Sequence, residues 1–271
     1  INYLSSTCSN VPKEDIKTLI CEGDIIIELE SIIIDGAKQK SVLMDSIKEY
    51  AYDLDVALKD IKVCDPAVGS GAFPVGMLNE VVKARRVLQL YLNKSESMYE
   101  FKRHTIQNSL YGIDLDPGAV EIAKLRLWLS LVVDENDYHV IQPLPNLDYK
   151  IMQGNSLIEE FHGISLNINN QEQRSLFGGG SELDVLIESL HQKQLEYFDA
   201  DHPAEKLQRR EEVELAIAGI FQSEIQKKTD ISNNEAQRIK SELNEMTHGN
   251  KIRNFFPWHL YFADVFRERG G

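Results

Sequence analysis

One short segment of the sequence combines an acidic residue, a proline and two glycines between a buried strand and a helix. It reads DPAVGSGAF at positions 65–73 and follows the apolar run Ile61–Cys64. Such a turn places backbone N–H groups and the start of a helix at the carboxyl edge of a sheet, where open α/β folds bind ligands. Gly69 and Gly71 let a ligand approach the backbone, and the Asp65 carboxylate suits a cationic amine or sulfonium group.

The sequence does not match the consensus motifs of two other kinds of glycine-rich loop. A phosphate-binding P-loop ends in Gly-Lys-Ser/Thr, but no Lys or Arg occurs from Val63 to Asn79. A dinucleotide fingerprint requires Gly or Ala at its third position, where this sequence has Pro74. A glycine turn that merely packs remains the alternative to a ligand-binding loop.

Two further polar motifs follow the next two predicted strands. Asp114 ends SLYGID, and an acidic residue at this place can accept both ribose hydroxyls of a nucleoside, while the apolar Leu115 lies against a base. The alternative is a purely local role, and we expect Asp116 to cap the following helix in any case. Asn155, in Gly-Asn-Ser-Leu, can donate and accept hydrogen bonds at an adenine edge, although Gly-Asn is also a common turn.

The elements that must position these motifs alternate between strands and helices, which is typical of a parallel α/β sheet. Helices are predicted at 39–58, 72–92 and from Pro117 onward, and strands at 61–64, 109–113 and 149–153. The helix after Pro117 is apolar nearly all round, so we expect it to be well buried. The Ile-rich stretch Asp24–Ile34 is predicted as a strand pair or an edge strand, and Lys83–Asn108 as an extended helix plus a loop.

The pattern changes after Leu157. Residues 165–181 are polar and glycine-rich, which predicts a loop. Three amphipathic helical segments between 182 and 247 then predict a helical hairpin or a short coiled coil. The third of these helices is predicted to begin with a Ser232/Glu235 capping box and to end at Gly249. The aromatic residues from Phe255 to Phe262 predict a return to the core.

Composition narrows the class of protein. The 271 residues are 42 % hydrophobic and 27 % charged, as expected for a globular protein with a core. The net charge is −14, and neither part of the chain, split after Ile158, is basic, so no nucleic-acid-binding face is evident. The three cysteines are scattered along the chain, which fits a reducing cytoplasm. The histidines lack the spacing of zinc ligands, so no metal site is predicted. No apolar stretch is long enough to predict a membrane span.

The three strand-end motifs, in this order, resemble the S-adenosylmethionine-binding part of adenine-specific DNA methyltransferases of the type IIG restriction–modification and phage-defence family. The resemblance is carried by DPAVGSGAF (65–73), YGIDLDPGAVEIAKLRLWLSLV (111–132) and PLPNLDYKIMQGNSLI (143–158). It implies a partial Rossmann-like methyltransferase sheet with an inserted or appended helical hairpin, and S-adenosylmethionine as the cofactor. The implied cofactor-binding residues are Asp65, Pro66, Ala67, Gly69, Ser70, Gly71, Ala72, Phe73, Asp114, Leu115, Asp116, Asn155, Ser156 and Leu157.

The sequence departs from this family at the catalytic loop. The family carries Asn/Asp-Pro-Pro-Tyr/Phe, whose polar side chain binds the target amine and whose aromatic ring stacks on the flipped base. This sequence contains no Pro-Pro pair. We therefore expect no catalytic residue within the chain, an end shortly before that motif, and DNA contacts largely through regions outside it.

The predicted organisation has four parts. They are an N-terminal segment (1–38), a cofactor-binding core (39–160), a loop plus helical insertion (161–254) and a return segment (255–271). The predicted function is that of the cofactor-binding fragment of a cytoplasmic enzyme that methylates the exocyclic amine of adenine in DNA, inactive by itself. The alternatives are an RNA or protein methyltransferase of the same fold, or a non-catalytic module that binds a protein partner through helices 182–247.

Overall fold

The computed structural model describes residues 1–34, 43–92, 96–133, 146–163, 182–200, 202–227, 232–247, 251–262 and 265. The chain forms two compact units. The first comprises Ile1–Val63, Ala72–Leu110 and Leu129–Ile141, and the second comprises Cys64–Gly71, Tyr111–Trp128 and Gln142–Gly271. In the part of the chain so described, no helix is both long and apolar enough to cross a bilayer.

The first unit is built from helices. They are α1 (Asn2–Thr7), α2 (Lys13–Cys21), α3 (Gly23–Ile34), α4 (Asp45–Glu49), α5 (Ala51–Asp60), α6 (Ala72–Leu92) and α7 (Met98–Ser109). One hydrophobic core joins helices α1 to α6, and Ile16, Leu19, Leu54 and Leu88 are completely buried in it. The bounds of α6 match the predicted helix 72–92. The predicted helix 39–58 is divided at Tyr50 into α4 and α5, and residues 39–42 lie outside the described part.

The strand prediction for Asp24–Ile34 is wrong, because this segment forms helix α3. Consecutive isoleucines favour a strand by intrinsic preference. Burial in the structure instead recurs at Gly23, Ile26 and Glu30, which is the three-to-four-residue spacing of a helix face. Ile25 is 58 % exposed, so the isoleucine run does not enter the core as a block.

Helix α7 corrects the loop expected within Lys83–Asn108. A capping box starts it: the Glu100 N–H donates to Ser97 Oγ (3.1 Å), and the Ser97 N–H donates to Glu100 Oε2 (2.6 Å). These two bonds satisfy amide groups that a helix start would otherwise leave unpaired. The Ser-x-x-Glu pattern at 97–100 is the signal in the sequence that would have predicted this helix.

The chain also forms a small three-stranded sheet. Its strands are β1 (Val63–Asp65), β2 (Leu110–Asp114) and β3 (Ile151–Gln153), in the spatial order β1-β2-β3. Strands β2 and β3 are parallel, and Asp114 lies opposite Gln153. All three predicted strands are thus present, and their carboxyl ends fall in the second unit.

Helix α8 (Pro117–Val132) follows β2. Asp116 caps it as predicted, since its Oδ1 accepts the Gly118 N–H at 2.8 Å. The expectation of burial all round is wrong: Val120, Ala123, Leu127 and Leu131 are buried, whereas about half of each side chain of Ile122, Leu125 and Leu129 is exposed. Only one face of the helix therefore packs into the core of the protein.

Three long helices and an aromatic segment complete the second unit. A 3₁₀ turn (Leu147–Tyr149) precedes β3, and α9 (Glu182–Asp199), α10 (Pro203–Lys227), α11 (Asn233–Thr247) and α12 (Trp258–Tyr261) follow it. The predicted helices and the return to the core are confirmed, since Phe255, Phe256 and Phe262 are buried with the helices in one cluster. The predicted loop 165–181 and the predicted helix end at Gly249 lie outside the described residues.

Candidate cofactor site

The loop after β1 is fastened to the end of β2 by a side chain. The Gly69 N–H donates to Asp114 Oδ2 at 2.8 Å, and the Val68 N–H donates to the Ile113 carbonyl at 2.8 Å. Asp65 also acts within the loop, because its Oδ1 accepts the Ala67 N–H at 3.1 Å. The first two predicted motifs therefore form one connected structure at the carboxyl edge of the sheet.

The two glycines of the loop have different reasons to be glycine. Both have positive φ, 51° at Gly69 and 81° at Gly71, a region that other residues rarely adopt. A Cβ on Gly71 would lie 2.9 Å from the Cα of Ala123 in α8, so this position allows close packing. A Cβ on Gly69 would meet no heavy atom of the described residues within 4 Å, so this position leaves open space beside the loop.

Asp114 uses both carboxylate oxygens within the protein. Oδ2 accepts the Gly69 N–H, and Oδ1 accepts the Asp116 N–H at 2.9 Å. Each carboxylate oxygen has two lone pairs, so Asp114 retains acceptor capacity for hydroxyl donors. Its backbone carbonyl accepts the Gly154 N–H at 2.9 Å, which connects the ends of β2 and β3.

The turn after β3 is built around a glycine and an asparagine. A Cβ on Gly154 would lie 2.8 Å from Phe256 Cδ2, so the aromatic segment packs directly against this turn. Asn155 Oδ1 accepts the Leu157 N–H at 3.1 Å. Its side-chain NH₂ group donates to none of the described residues, so both of its N–H donors are available to a ligand. Ser156 is held through its carbonyl, which accepts from Trp258 Nε1 at 3.1 Å.

Apolar side chains stand exposed after two of the strands. Leu115 after β2 is 56 % exposed, and Leu157 after β3 is 92 % exposed. Pro66, Ala67 and Ser70 are also exposed in the loop after β1. Ala72 and Phe73 begin α6 and belong to the first unit, and Phe73 is 53 % exposed. Exposed leucines beside strand-end polar groups are what a planar, partly apolar ligand requires.

Sequence reasoning missed two side chains that hold this edge together. Arg126 of α8 donates from Nη1 to Ser70 Oγ at 3.2 Å, which brings a positive charge to the loop. Gln153 donates from Nε2 to the Leu115 carbonyl (3.2 Å) and to the Arg253 carbonyl (3.0 Å). Arg126 lies one helical turn after Ala123, but no feature of the sequence signals the contacts of Gln153.

Within the described ranges, no group of three or more His, Cys, Asp and Glu side chains is arranged to hold a metal ion. Cys8, Cys21 and Cys64 form no disulfide among the described residues, and Cys64 packs partly buried against the core of the second unit.

The sequence of the chain is similar to those of known proteins from one family. Residues 108–271 match the Eco57I restriction-modification methylase family. A Methanocaldococcus jannaschii protein, provisionally named type II restriction enzyme and methyltransferase RM.MjaORFECS2P, is 28 % identical over 255 residues, which are 79 % of this chain and 21 % of that protein. The Escherichia coli type II restriction enzyme and methyltransferase RM.Eco57I is 27 % identical over 136 residues, 44 % of this chain and 13 % of that protein.

No solved structure matches the chain at a significant level. The chain spans about a fifth or less of the length of these two relatives. The family match nevertheless covers more than half of the chain and includes the second and third motifs of the sheet edge. The chain belongs to the Eco57I restriction-modification methylase family.

Proposed function

We propose that this chain is the S-adenosylmethionine-binding part of a cytoplasmic DNA methyltransferase that modifies the exocyclic amino group of adenine in restriction–modification or phage defence. The family and the names of both relatives support a methyltransferase of a restriction–modification system. The order of the three strand-end motifs supports a Rossmann-like sheet and a nucleoside cofactor.

The main support for this proposal is the hydrogen bond from the Gly69 N–H to Asp114 Oδ2 at 2.8 Å. It sets a glycine with open space above it beside a carboxylate that has spare acceptor capacity. A ligand with a flexible cationic arm and a ribose needs this pair: close approach to the loop backbone, and an acceptor for its hydroxyls. The residues of the edge therefore fit S-adenosylmethionine.

Each residue then has a role at the edge. Residues 65–71 surround the methionine part, with the Asp65 carboxylate favouring the positively charged sulfonium. Asp114 accepts from the ribose hydroxyls. Leu115 and Leu157 cover the adenine, bordered by Asp116 and Ser156, and the Asn155 NH₂ group donates to a ring nitrogen. When bound, S-adenosylmethionine supplies an activated methyl group, and the contribution of this chain is to hold and orient it.

The groups that act on the target base lie elsewhere in the polypeptide under this proposal. The sequence has no Asn/Asp-Pro-Pro-Tyr/Phe motif, neither part of it is basic when split after Ile158, and the net charge of −14 opposes DNA binding by this chain alone. A base must leave the duplex to reach such a site, and the target-binding regions must supply that extrusion.

Calorimetry with S-adenosylhomocysteine on the natural full-length polypeptide tests cofactor binding. We expect Asp114→Ala to weaken binding by about 10- to 100-fold, since it removes a charged acceptor and loosens the loop. Asp60→Ala, which removes an exposed acid at the end of α5, is the matched control and should leave affinity unchanged. Equal affinities of the two variants would contradict the proposal.

The target is tested separately. DNA incubated with the polypeptide and methyl-labelled S-adenosylmethionine is digested to nucleosides, and we expect the label on N6-methyladenine. Label on another nucleoside would correct the specificity. Unlabelled DNA, with labelled RNA or protein, would favour the other substrate classes.

A further inference from the structure

A cavity lies within the second unit, beside the proposed cofactor edge. It has a volume of about 390 Å³ and lies between α8, β3, α10 and the segment after α11, and none of the predicted cofactor-binding residues lines it. We call it the helix-side cleft. Small-molecule sites begin at about 300 Å³, so the cleft is large enough for a ligand of the size of one aromatic ring with a substituent.

The helix-side cleft has mixed walls. Met152, Ile217, Met246 and Ile252 give it apolar surface, and four basic side chains and three carboxylates also line it. Three of the basic groups have acidic partners. Lys124 Nζ lies 2.8 Å from an Asp148 oxygen, Arg210 Nε lies 2.9 Å from a Glu214 oxygen, and Lys251 is paired with Glu242.

Arg253 is the exception among these cations. It is only 7 % exposed, yet within the described ranges it has no carboxylate partner. Nη1 donates to the Gln153 carbonyl at 3.4 Å, the guanidinium lies 4.7 Å from the centre of the Tyr261 ring, and Nε has no hydrogen-bond partner among the described residues. A carbonyl and a ring face compensate a buried positive charge only in part, and a buried ion without an opposite charge is costly.

We propose that the helix-side cleft binds a small oxyanion, a carboxylate or a phosphate monoester with an apolar or aromatic body, through the Arg253 guanidinium. A planar guanidinium is the side chain best suited to a two-point bond with either group. The apolar walls receive the body of the ligand. A duplex phosphate backbone does not fit, because Arg253 is too deeply buried for DNA to reach.

The cleft also shares a side chain with the edge of the sheet. Gln153 accepts the Arg253 N–H at 2.7 Å through Oε1 and donates to the Leu115 carbonyl through Nε2. The proposed oxyanion site is therefore adjacent to the proposed cofactor site but chemically distinct from it. It requires a separate anionic ligand, and it does not depend on the cofactor assignment.

The test uses phenyl phosphate, benzoate and neutral benzamide as probes in calorimetric titrations of the natural full-length polypeptide. Excess S-adenosylhomocysteine is present in one set of titrations and absent in the other. We expect phenyl phosphate or benzoate to bind in both sets and benzamide not to bind. Binding of phenyl phosphate alone assigns a phosphate ligand, and binding of benzoate alone assigns a carboxylate.

Two variants locate the site. Arg253→Gln should weaken binding of the anion at least about tenfold, whereas Lys251→Gln, which removes a basic side chain that already has a carboxylate partner, should change it less than about twofold. Thermal unfolding checks that both variants are folded. If Arg253→Gln does not fold, Arg253→Lys keeps the charge but loses the two-point geometry, and it should weaken binding severalfold.

The proposal is overturned if neither anion binds, if S-adenosylhomocysteine displaces the bound anion, or if the folded Arg253 variants bind it like the unmodified protein. Binding of S-adenosylhomocysteine, measured in the same samples, reports on the cofactor proposal separately. Loss of one kind of binding without the other therefore shows which of the two assignments is wrong.

Discussion

The Cα of Ala123 in α8 lies 2.9 Å from the point where a Cβ on Gly71 would stand. Gly71 therefore fixes how closely the loop after β1 approaches the helix after β2. The same loop contains Gly69, which also has positive φ but faces open space. Gly71 therefore serves packing against α8, whereas Gly69 leaves room for a ligand.

Alanine at these two positions should have different effects on stability. We expect Gly71→Ala to lower the free energy of unfolding by about 2–4 kcal/mol, because backbone strain adds to a steric clash with α8. Gly69→Ala should cost about 1 kcal/mol, since it adds strain only, but should weaken binding of S-adenosylhomocysteine. Urea unfolding and calorimetry measure the two effects. Equal losses of stability would show that the close approach to α8 is unimportant.

Leu157 should matter to a ligand and not to folding. Its side chain is 92 % exposed, so Leu157→Ser should change the free energy of unfolding by less than about 0.5 kcal/mol. If Leu157 covers the adenine, the same change should weaken S-adenosylhomocysteine binding by about 5- to 30-fold through lost apolar burial. Leu215→Ser, at a 72 % exposed position of α10, is the control and should alter neither quantity. Unchanged affinity of Leu157→Ser would remove Leu157 from the site.

The ion pair of Asp148 predicts a dependence of stability on pH. Burial by itself raises the pKa of Asp148, but the Lys124 ammonium at 2.8 Å and the Tyr197 hydroxyl at 2.6 Å outweigh it and hold this pKa below 3.8. Because the folded-state pKa is the lower one, the stabilisation is present above about pH 4 and is lost as the pH falls through the folded-state pKa.

Asp148→Asn should therefore be less stable than the unmodified protein by about 1 kcal/mol at pH 7, and the difference should shrink below pH 4. Urea unfolding at several pH values measures it. Asp45→Asn, which changes a fully exposed side chain, should show no such trend. A difference that stays constant from pH 7 to pH 3 would contradict the assigned direction of the shift.

The first unit contains a buried ion pair whose disruption should be severe. Arg85 Nε lies 2.9 Å from Asp55 Oδ1, and the two side chains are 0 % and 4 % exposed. Asp55→Ala leaves the arginine buried without this partner and should lower the free energy of unfolding by about 3–5 kcal/mol. The control Lys48→Ala breaks an exposed pair with Asp45 and should cost less than about 1 kcal/mol. Similar losses in the two variants, measured by urea unfolding, would refute this expectation.

Local patterns in the sequence predicted part of the fold. The bounds of α6, the cap at Asp116 and the three strands follow from short-range signals: a run of apolar spacing, an Asp-Pro pair and brief apolar stretches between turns. The Ser97 and Glu100 pair is likewise a short-range signal, because it predicts the capping box that begins α7. The helix at Gly23–Ile34 was not evident, because strand preference of isoleucine and helical spacing of the buried positions compete within the same residues.

The sequence by itself determined that three polar turns follow three strands, and with them which residues are candidates for a cofactor. Only the tertiary structure decided that Asp114 binds the Gly69 backbone, that one apolar face of α8 is partly exposed, and that Arg253 is buried beside a cavity. Turns and caps depend on neighbours along the chain, so their residues encode them directly. Contacts across 45 or 100 residues, such as Gly69 with Asp114 or Arg253 with Gln153, depend on how the elements pack, and no short pattern contains that information.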